Sequence, residues 1–132
     1  ERACPLLVPL VEEGWFDHPA TRLIASQYLD ELVREGIDTL VLGCTHYPLL
    51  RPLLAELLGD GVVLIDSARE TAAELAATLQ AQGIAASPGS RRPSRWAATD
   101  DVARFAAVGG RFADEAIATA ELVQLVEGQL VR

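Results

Sequence analysis

Two short apolar runs, each preceded and followed by a helical pattern, constrain the fold of this chain most. The runs are IDTLVL at residues 37–42 and VVLI at residues 62–65. Before the first run, apolar residues recur at helical spacing over residues 20–34, and Gly36 follows as a stop. Runs of this length are typical of buried strands in parallel sheets. The alternation of helix and strand therefore predicts an α/β fold with a parallel sheet.

The helices that follow these two runs are predicted from local start and stop signals. Pro48 fits the first turn of a helix that carries leucines to a stop at Gly59. Asp66 or Ser67 is expected to cap a helix that reaches about residue 82.

The two ends of the chain carry weaker patterns. Pro5 and Pro9 favour a strand end or an extended loop at residues 3–8. The later part contains three candidate elements: a strand at residues 95–99, a short helix at 102–107, and a stretch at 117–126 that fits either a strand or a helix.

The charge distribution bears on partners. Of the 19 acidic and 11 basic residues, 13 acidic and 5 basic residues lie in positions 1–90, so this part carries the whole net charge of -8. Such a surface repels a polyanion, and no nucleic-acid partner is expected. Arg91, Arg92 and Arg95 form either an anion patch or part of a solvated linker at about residues 84–94, and the neighbouring proline, glycine and serine favour the linker.

Several protein classes are excluded as expectations. No apolar run approaches the roughly 20 residues that a bilayer-spanning helix needs, so no membrane contact is expected. Cys4 and Cys44 are too few for a disulfide framework and have no zinc-site spacing, so we expect a cytoplasmic protein without a metal. The chain has no methionine, and we expect it to be a piece of a longer protein.

The sequence GCTHYP, directly after the first apolar run, is the best candidate site. Ligands of parallel sheets bind beyond the carboxyl ends of the strands. Gly43 is expected to allow a sharp turn or close approach of a ligand, and the N–H groups leading into the next helix can hold a carboxylate. Cys44 and His46 are a thiol and an imidazole suited to proton abstraction or nucleophilic attack. A buried cysteine without chemistry is the alternative, and these residues alone do not decide.

The string LVLGCTHYPLLRPLL at residues 40–54 closely resembles the signature loop of the glutamate racemases, cofactor-independent enzymes that supply D-glutamate for peptidoglycan. ACPLLVPLVEEG at 3–14 and LIDSARETA at 64–72 agree with it, and residues 95–112 look like a drifted form of the last strand and helix of the family. The resemblance covers nearly the whole chain but only the second half of the family's usual length.

The resemblance implies an architecture: Rossmann-like α/β lobes with parallel sheets, of the aspartate/glutamate racemase type, present here as an incomplete C-terminal fragment. Residues 1–65 are expected in the second lobe, and residues 66–132 in the return of the chain to the first lobe. The expected partners are the substrate glutamate and the missing N-terminal half, and a homodimer is compatible with the family. No cofactor is expected.

The resemblance also implies roles for residues of the loop. Cys44 matches one of the two catalytic cysteines, the one that takes the α-proton from L-glutamate and returns a proton when D-glutamate reacts. Thr45 and His46 match residues that contact the substrate, and His46 also assists Cys44. Gly43 supports the loop.

Two further positions receive assignments from the resemblance. Glu12 matches a glutamate that orients the histidine, with Glu13 as a neighbouring candidate and a solvated turn as the alternative. Cys4 matches a non-catalytic position and is expected to pack in the core.

The second catalytic cysteine of the family lies in an ACNTA-like loop that does not occur here, and the chain contains no asparagine. The isolated chain is therefore expected to be inactive. Three alternatives remain: a related racemase for aspartate or hydantoins or a decarboxylase, a non-catalytic relative that binds a partner, and a redox or metal role for Cys4 and Cys44.

Overall fold

The computed structural model describes residues 1–87, 89, 93–113, 117–126 and 129–131. Its contacts divide the chain into two compact units, Glu1–Ala85 and Ala86–Arg132. The first unit contains, in chain order, α1 Leu7–Glu12, α2 Pro19–Arg34, β1 Thr39–Leu42, a 3-10 helix Tyr47–Leu50, α3 Arg51–Leu58, β2 Val63–Asp66 and α4 Ser67–Ala81.

The two strands of the first unit form a parallel sheet. Thr39 lies opposite Val63, and the register runs through to Leu42 opposite Asp66. The connection between them passes through the 3-10 helix and α3, as a parallel pair requires. This arrangement confirms the α/β fold predicted from the alternating pattern.

The core of the first unit lies between α1, α2, α3 and one face of this sheet. Its buried apolar residues are Leu7, Val11, Ala25, Leu29, Leu42, Leu50, Leu53, Leu54 and Leu64. On the opposite face Val41 and Val63 are 67% and 58% exposed. The strands are therefore buried on one face only, although the apolar runs suggested burial on both. None of the residues of α4 is buried, so this helix does not bury the second face of the sheet.

The expectation of a non-helical segment at residues 3–8 is wrong for its last two residues, since α1 begins at Leu7. Pro9 is the third residue of this helix, within the first turn, where backbone N–H groups have no intrahelical acceptor to lose. Leu7 and Val11 are one turn apart, and both are buried. The helical spacing of these two residues therefore prevails over the prolines.

The helix predicted from Pro48 is split into two segments. The 3-10 helix Tyr47–Leu50 comes first, and α3 starts anew at Arg51. Pro48 and Pro52 are each the second residue of their helix, a position where the absent N–H costs little. Two closely spaced prolines thus produce two successive helix starts.

Asp66 caps α4 as predicted, because its Oδ1 accepts a hydrogen bond from the N–H of Arg69 at 2.9 Å. At the start of α2 the cap is a histidine. His18 Nδ1 accepts from the N–H of Ala20 at 3.1 Å, and the imidazole stacks on Trp15 with ring centroids 4.2 Å apart.

The second unit contains β3 Ala97–Ala98, α5 Val102–Ala113, β4 Glu121–Leu122, β5 Gln124–Val126 and β6 Gln129–Val131. β3 pairs with β4 in parallel, and β5 pairs with β6 in antiparallel orientation. The stretch that was ambiguous in the sequence thus forms short strands. Helix α5 is longer than predicted and continues through Gly109, where a Cβ would lie 3.1 Å from Ile117 Cδ1. Glycine allows this close approach.

The predicted linker at 84–94 lies partly outside the described residues, which omit 88 and 90–92 and thus Arg91 and Arg92. Arg95 is described, and it forms an ion pair with Glu121 at 3.1 Å. Among the helices of the described ranges, none has the length and apolar character needed to span a membrane.

A buried hydroxyl of α2 gives a test of this fold. Thr21 is fully buried, and its Oγ1 donates to the carbonyl of Trp15 at 2.6 Å. Replacing Thr21 by Val leaves that carbonyl without its donor and is expected to lower the free energy of unfolding by about 1–3 kcal/mol. Thermal or denaturant unfolding measures the loss. Thr21→Ser keeps the hydroxyl and is the matched control, so equal losses in both variants would contradict the hydrogen bond's contribution.

Candidate active site

Residues 43–50, named here the Cys44 loop, connect β1 to α3 at the carboxyl end of the sheet. Two internal hydrogen bonds shape this loop. The N–H of Tyr47 donates to the carbonyl of Cys44 at 3.2 Å, and the N–H of Leu49 donates to the carbonyl of His46 at 3.2 Å. The loop is also fixed by Leu50, which is fully buried.

His46 lies at the centre of the polar groups of this loop. Its Nδ1 is 3.9 Å from Cys44 Sγ and 3.4 Å from Thr45 Oγ1, and its Nε2 is 3.5 Å from Glu12 Oε1. A carboxylate only accepts hydrogen bonds, so it favours a proton on Nε2 and, in the neutral ring, an acceptor lone pair on Nδ1. That lone pair faces the thiol and the hydroxyl. The arrangement can therefore accept a proton from Cys44.

Helix α1 brings a carboxylate to this imidazole. Its last residue is Glu12, which follows the buried Val11, while Glu13 is the C-terminal cap and is exposed. Of the two glutamates considered from the sequence, Glu12 is the one whose carboxylate faces His46. The side chains of Glu12 and His46 are 35% and 23% exposed, so this pair is only partly screened by water.

Tyrosines attach the N-terminal segment to the site, which the sequence did not predict. The hydroxyl of Tyr47 donates to the carbonyl of Cys4 at 3.2 Å, and the hydroxyl of Tyr28 accepts from the N–H of Leu6 at 3.4 Å. Burial raises the pKa of Tyr47, and the nearby thiols of Cys4 and Cys44 add to this effect. Tyr47 therefore remains a neutral hydrogen-bond donor. In the sequence, the only indication of a role for Tyr47 was its position next to His46.

Cys4 has a different environment from Cys44. It is partly buried against the core, as predicted, and its Sγ donates to the carbonyl of Arg2 at 3.6 Å. Burial raises the pKa of the Cys4 thiol, and the positive charge of Arg2 opposes this shift. Both cysteines are free thiols. Within the described ranges, no group of three metal-ligating side chains occurs.

A groove of about 610 Å³ opens beside the loop within the first unit. Its walls come from α1, α2 and β1, with both cysteines and Tyr47 among the lining residues. Aliphatic side chains form much of the lining, including Leu7, Leu29, Leu32, Leu42 and Leu54. Apolar walls with a few polar groups are typical of sites for small molecules.

Two expectations about the loop backbone need correction. The backbone of Gly43 is not in the left-handed region, and a Cβ there would meet nothing within 4 Å, so no sharp turn requires this glycine. Pro48 has no N–H, and the N–H groups of Tyr47 and Leu49 are used inside the loop. The N–H groups leading into the helix are thus fewer than the sequence suggested for holding a carboxylate. Gly43 is exposed, which is compatible with the approach of a ligand.

At the end of the neighbouring strand lies a buried ion pair that the sequence patterns did not indicate. Asp66 is 1% exposed, and its Oδ2 accepts from Arg51 Nη1 at 3.0 Å. Arg51 Nη2 also donates to the carbonyl of Leu64 at 3.0 Å. A carboxylate that ends an apolar run and an arginine among leucines were the only signs of this pair in the sequence.

Comparison with known proteins identifies the family of this chain. The model of the family Asp/Glu/Hydantoin racemase matches residues 1–75. Proteins named glutamate racemase from Syntrophus aciditrophicus and Neisseria meningitidis serogroup A are 48% and 45% identical over 124 residues. These alignments cover 94% of this chain and 46% of each relative, so the chain spans about half the length of the relatives it matches.

Solved structures give the same result. Glutamate racemase from Thermus thermophilus, in complex with β-chloro-D-alanine, has a TM-score of 0.80 at 40% identity, covering 94% of this chain and 47% of that one. Glutamate racemase from Francisella tularensis, in complex with D-glutamate, has a TM-score of 0.76 at 30% identity, covering 93% and 46%. The chain belongs to the Asp/Glu/hydantoin racemase family.

Proposed function

We propose that this chain is the C-terminal portion of a cytoplasmic glutamate racemase, which interconverts L- and D-glutamate without a cofactor and supplies D-glutamate for peptidoglycan. The observation that carries the proposal is the contact of His46 with the Cys44 thiol on one side and the Glu12 carboxylate on the other. The similarity to proteins named glutamate racemase supports glutamate as the substrate.

The proposed reaction uses Cys44 as a base. Its thiolate removes the α-proton of L-glutamate: the Cα–H bond breaks, an S–H bond forms, and the electron pair left on Cα is delocalised into the α-carboxylate. A second acid then protonates the opposite face of Cα and yields D-glutamate. The reverse reaction runs through the same groups in the opposite order.

The other site residues have supporting roles in this proposal. His46 takes the thiol proton on Nδ1 and thereby activates Cys44, and Glu12 holds the ring so that Nδ1 faces the sulfur. Thr45 and His46 contact the substrate, and the exposed Gly43 leaves room for it beside the strand end. The aliphatic side chains of the groove would exclude water from that side of the site and strengthen the electrostatic interactions made there.

The second acid belongs to the missing N-terminal half in this proposal. Residues 1–65 would lie in the second lobe and residues 66–132 in the return to the first lobe, with the site between the two lobes of the complete protein. Homodimer formation is compatible with this organisation. An aspartate or hydantoin racemase is the second candidate, because the family model covers all three substrates.

The proposed function predicts a clear outcome for activity. The complete gene product containing this chain is expected to racemise L- and D-glutamate, with little activity on aspartate, when the enantiomers are separated chromatographically. Cys44→Ala is expected to lose activity in both directions because the base is absent. The 132-residue chain by itself is expected to show none, because only one of the two proton-transferring groups is present.

Cys4→Ala is the matched control, and it should retain activity because Cys4 packs against the core. Activity of the chain alone, or full activity of Cys44→Ala, would contradict the mechanism. A complete gene product without racemase activity would instead favour a non-catalytic relative.

The contact between Glu12 and His46 gives a second prediction. Glu12→Gln keeps an acceptor oxygen but removes the carboxylate charge that lies 3.5 Å from Nε2, and an interaction with a charged partner contributes about 1.5–3 kcal/mol. We therefore expect kcat/KM to fall about 10- to 100-fold. Glu13→Gln removes a carboxylate from the adjacent exposed position and is expected to have little effect. Equal losses in the two variants would exclude a specific role for Glu12.

The environment of Cys4 gives a prediction for its reactivity. Because burial raises the pKa of Cys4, alkylation of this thiol by iodoacetamide is expected to reach half its maximal rate at a higher pH than alkylation of an unperturbed thiol, whose midpoint is the reference value. Mass spectrometry of the Cys4 peptide measures the rate at each pH without interference from Cys44. A midpoint at or below the reference value would show that burial does not control this thiol.

A further inference from the structure

We propose that Arg51 and Asp66 are positioning residues, which hold the Cys44 loop in the geometry that brings Cys44 Sγ to His46. The inference rests on the proposed function, in which Cys44 transfers the proton. Neither residue has a role in the reaction described above. Their contribution would be to fix the backbone that carries the reacting groups.

Asp66 contacts both ends of the Cys44 loop. Its backbone lies opposite Leu42, the residue immediately before the loop, in the parallel register of the sheet. Its carboxylate accepts from Arg51, the residue immediately after the loop, at 3.0 Å. The eight residues between these points are therefore attached at both ends to a single residue of β2. These two contacts of Asp66, with Leu42 and with Arg51, are named the tie.

Arg51 fixes the orientation of this tie through two hydrogen bonds. One guanidinium nitrogen donates to the carboxylate of Asp66, and another donates to the carbonyl of Leu64, each at 3.0 Å. The guanidinium is planar, so two contacts in different directions fix its orientation as well as its distance. A lysine ammonium can keep the ion pair but cannot reproduce both contacts from a rigid fork.

The burial of Asp66 exceeds what a helix cap needs. An N-cap carboxylate requires only an N–H group to bind, here that of Arg69 at 2.9 Å. Asp66 is nevertheless 1% exposed, and burying a carboxylate is unfavourable unless it is paired. Arg51 supplies that pairing from the first residue of α3. The guanidinium of Arg69 is a weaker neighbour, because its Nε is 3.9 Å away and its side chain is 71% exposed.

Loss of this tie is expected to affect the Cys44 step selectively. A small displacement of a reacting group can cost about 100-fold in rate. In the proposed mechanism Cys44 abstracts the proton from L-glutamate, and the absent second group abstracts it from D-glutamate. Displacement of Cys44 should therefore slow proton abstraction from the L enantiomer more than it slows proton abstraction from the D enantiomer. Abstraction from the L enantiomer should then become more rate-limiting than in the wild type.

The test uses the complete gene product with the variants Arg51→Met and Arg51→Lys. We expect Arg51→Met to lower kcat about 10- to 100-fold. The deuterium isotope effect on kcat should increase with α-deuterated L-glutamate more than with α-deuterated D-glutamate. Arg51→Lys should give an intermediate loss. Arg69→Gln is the matched control: it removes a neighbouring guanidinium but not the backbone N–H that binds Asp66, and should behave as the wild type.

A second measurement does not depend on activity. Amide hydrogen exchange of the peptide that spans the Cys44 loop is expected to be about tenfold faster in Arg51→Met than in the wild type, while exchange in α2 is unchanged. If the wild type has no racemase activity, the proposed function fails, and this exchange result still decides whether the tie holds the loop.

The double variant Arg51→Met with Asp66→Asn separates positioning from general stability. It removes the unpaired buried charge that Arg51→Met leaves, so thermal stability should recover in part, while loop exchange and the isotope effect should not. It also replaces Arg51→Met if that variant does not fold. The proposal would be overturned if Arg51→Met had wild-type kinetics and wild-type exchange in the loop. It would also be overturned if the double variant recovered both properties together with stability.

Discussion

The parallel pairing of β1 and β2 determines where every group of the candidate site can lie. Parallel strands end at the same edge of a sheet, so the register that places Leu42 opposite Asp66 also places the Cys44 loop beside the start of α4. The apolar face of this pair organises α1, α2 and α3 around it. Helix α1 can offer Glu12 to His46 only because Leu7 and Val11 hold it against that core.

The two cysteines of the first unit lie in different surroundings. Cys44 lies just after the end of β1, next to an imidazole that can accept its proton. Cys4 packs against the core and donates to a carbonyl two residues away, and its raised pKa disfavours the thiolate. Tyr47 lies between these environments, because it belongs to the loop and binds the backbone of Cys4. The N-terminal segment is thereby attached to the loop.

The sequence predicted what depends on local patterns. The strand ending before Gly43, the helix at α2 and the cap at Asp66 follow from periodicity and from the preferences of single residues. The helix at α1 was not predicted, because proline is unfavourable inside a helix, although it is acceptable in the first turn. Contacts between distant residues, such as Glu12 with His46 or Arg51 with Asp66, leave no periodic trace in one sequence. Family resemblance suggested the first of these pairs and not the second.

The two prolines that divide the helix after Cys44 also act before the chain folds. Each restricts its own φ angle to about −65° in the unfolded ensemble, and a φ of this size suits the second residue of a helix, the place that each occupies here. Pro48 and Pro52 therefore sample fewer conformations in the denatured chain than ordinary residues would. Folding of the segment around the thiol accordingly loses less conformational entropy, so part of the order of this loop is already encoded in its covalent structure.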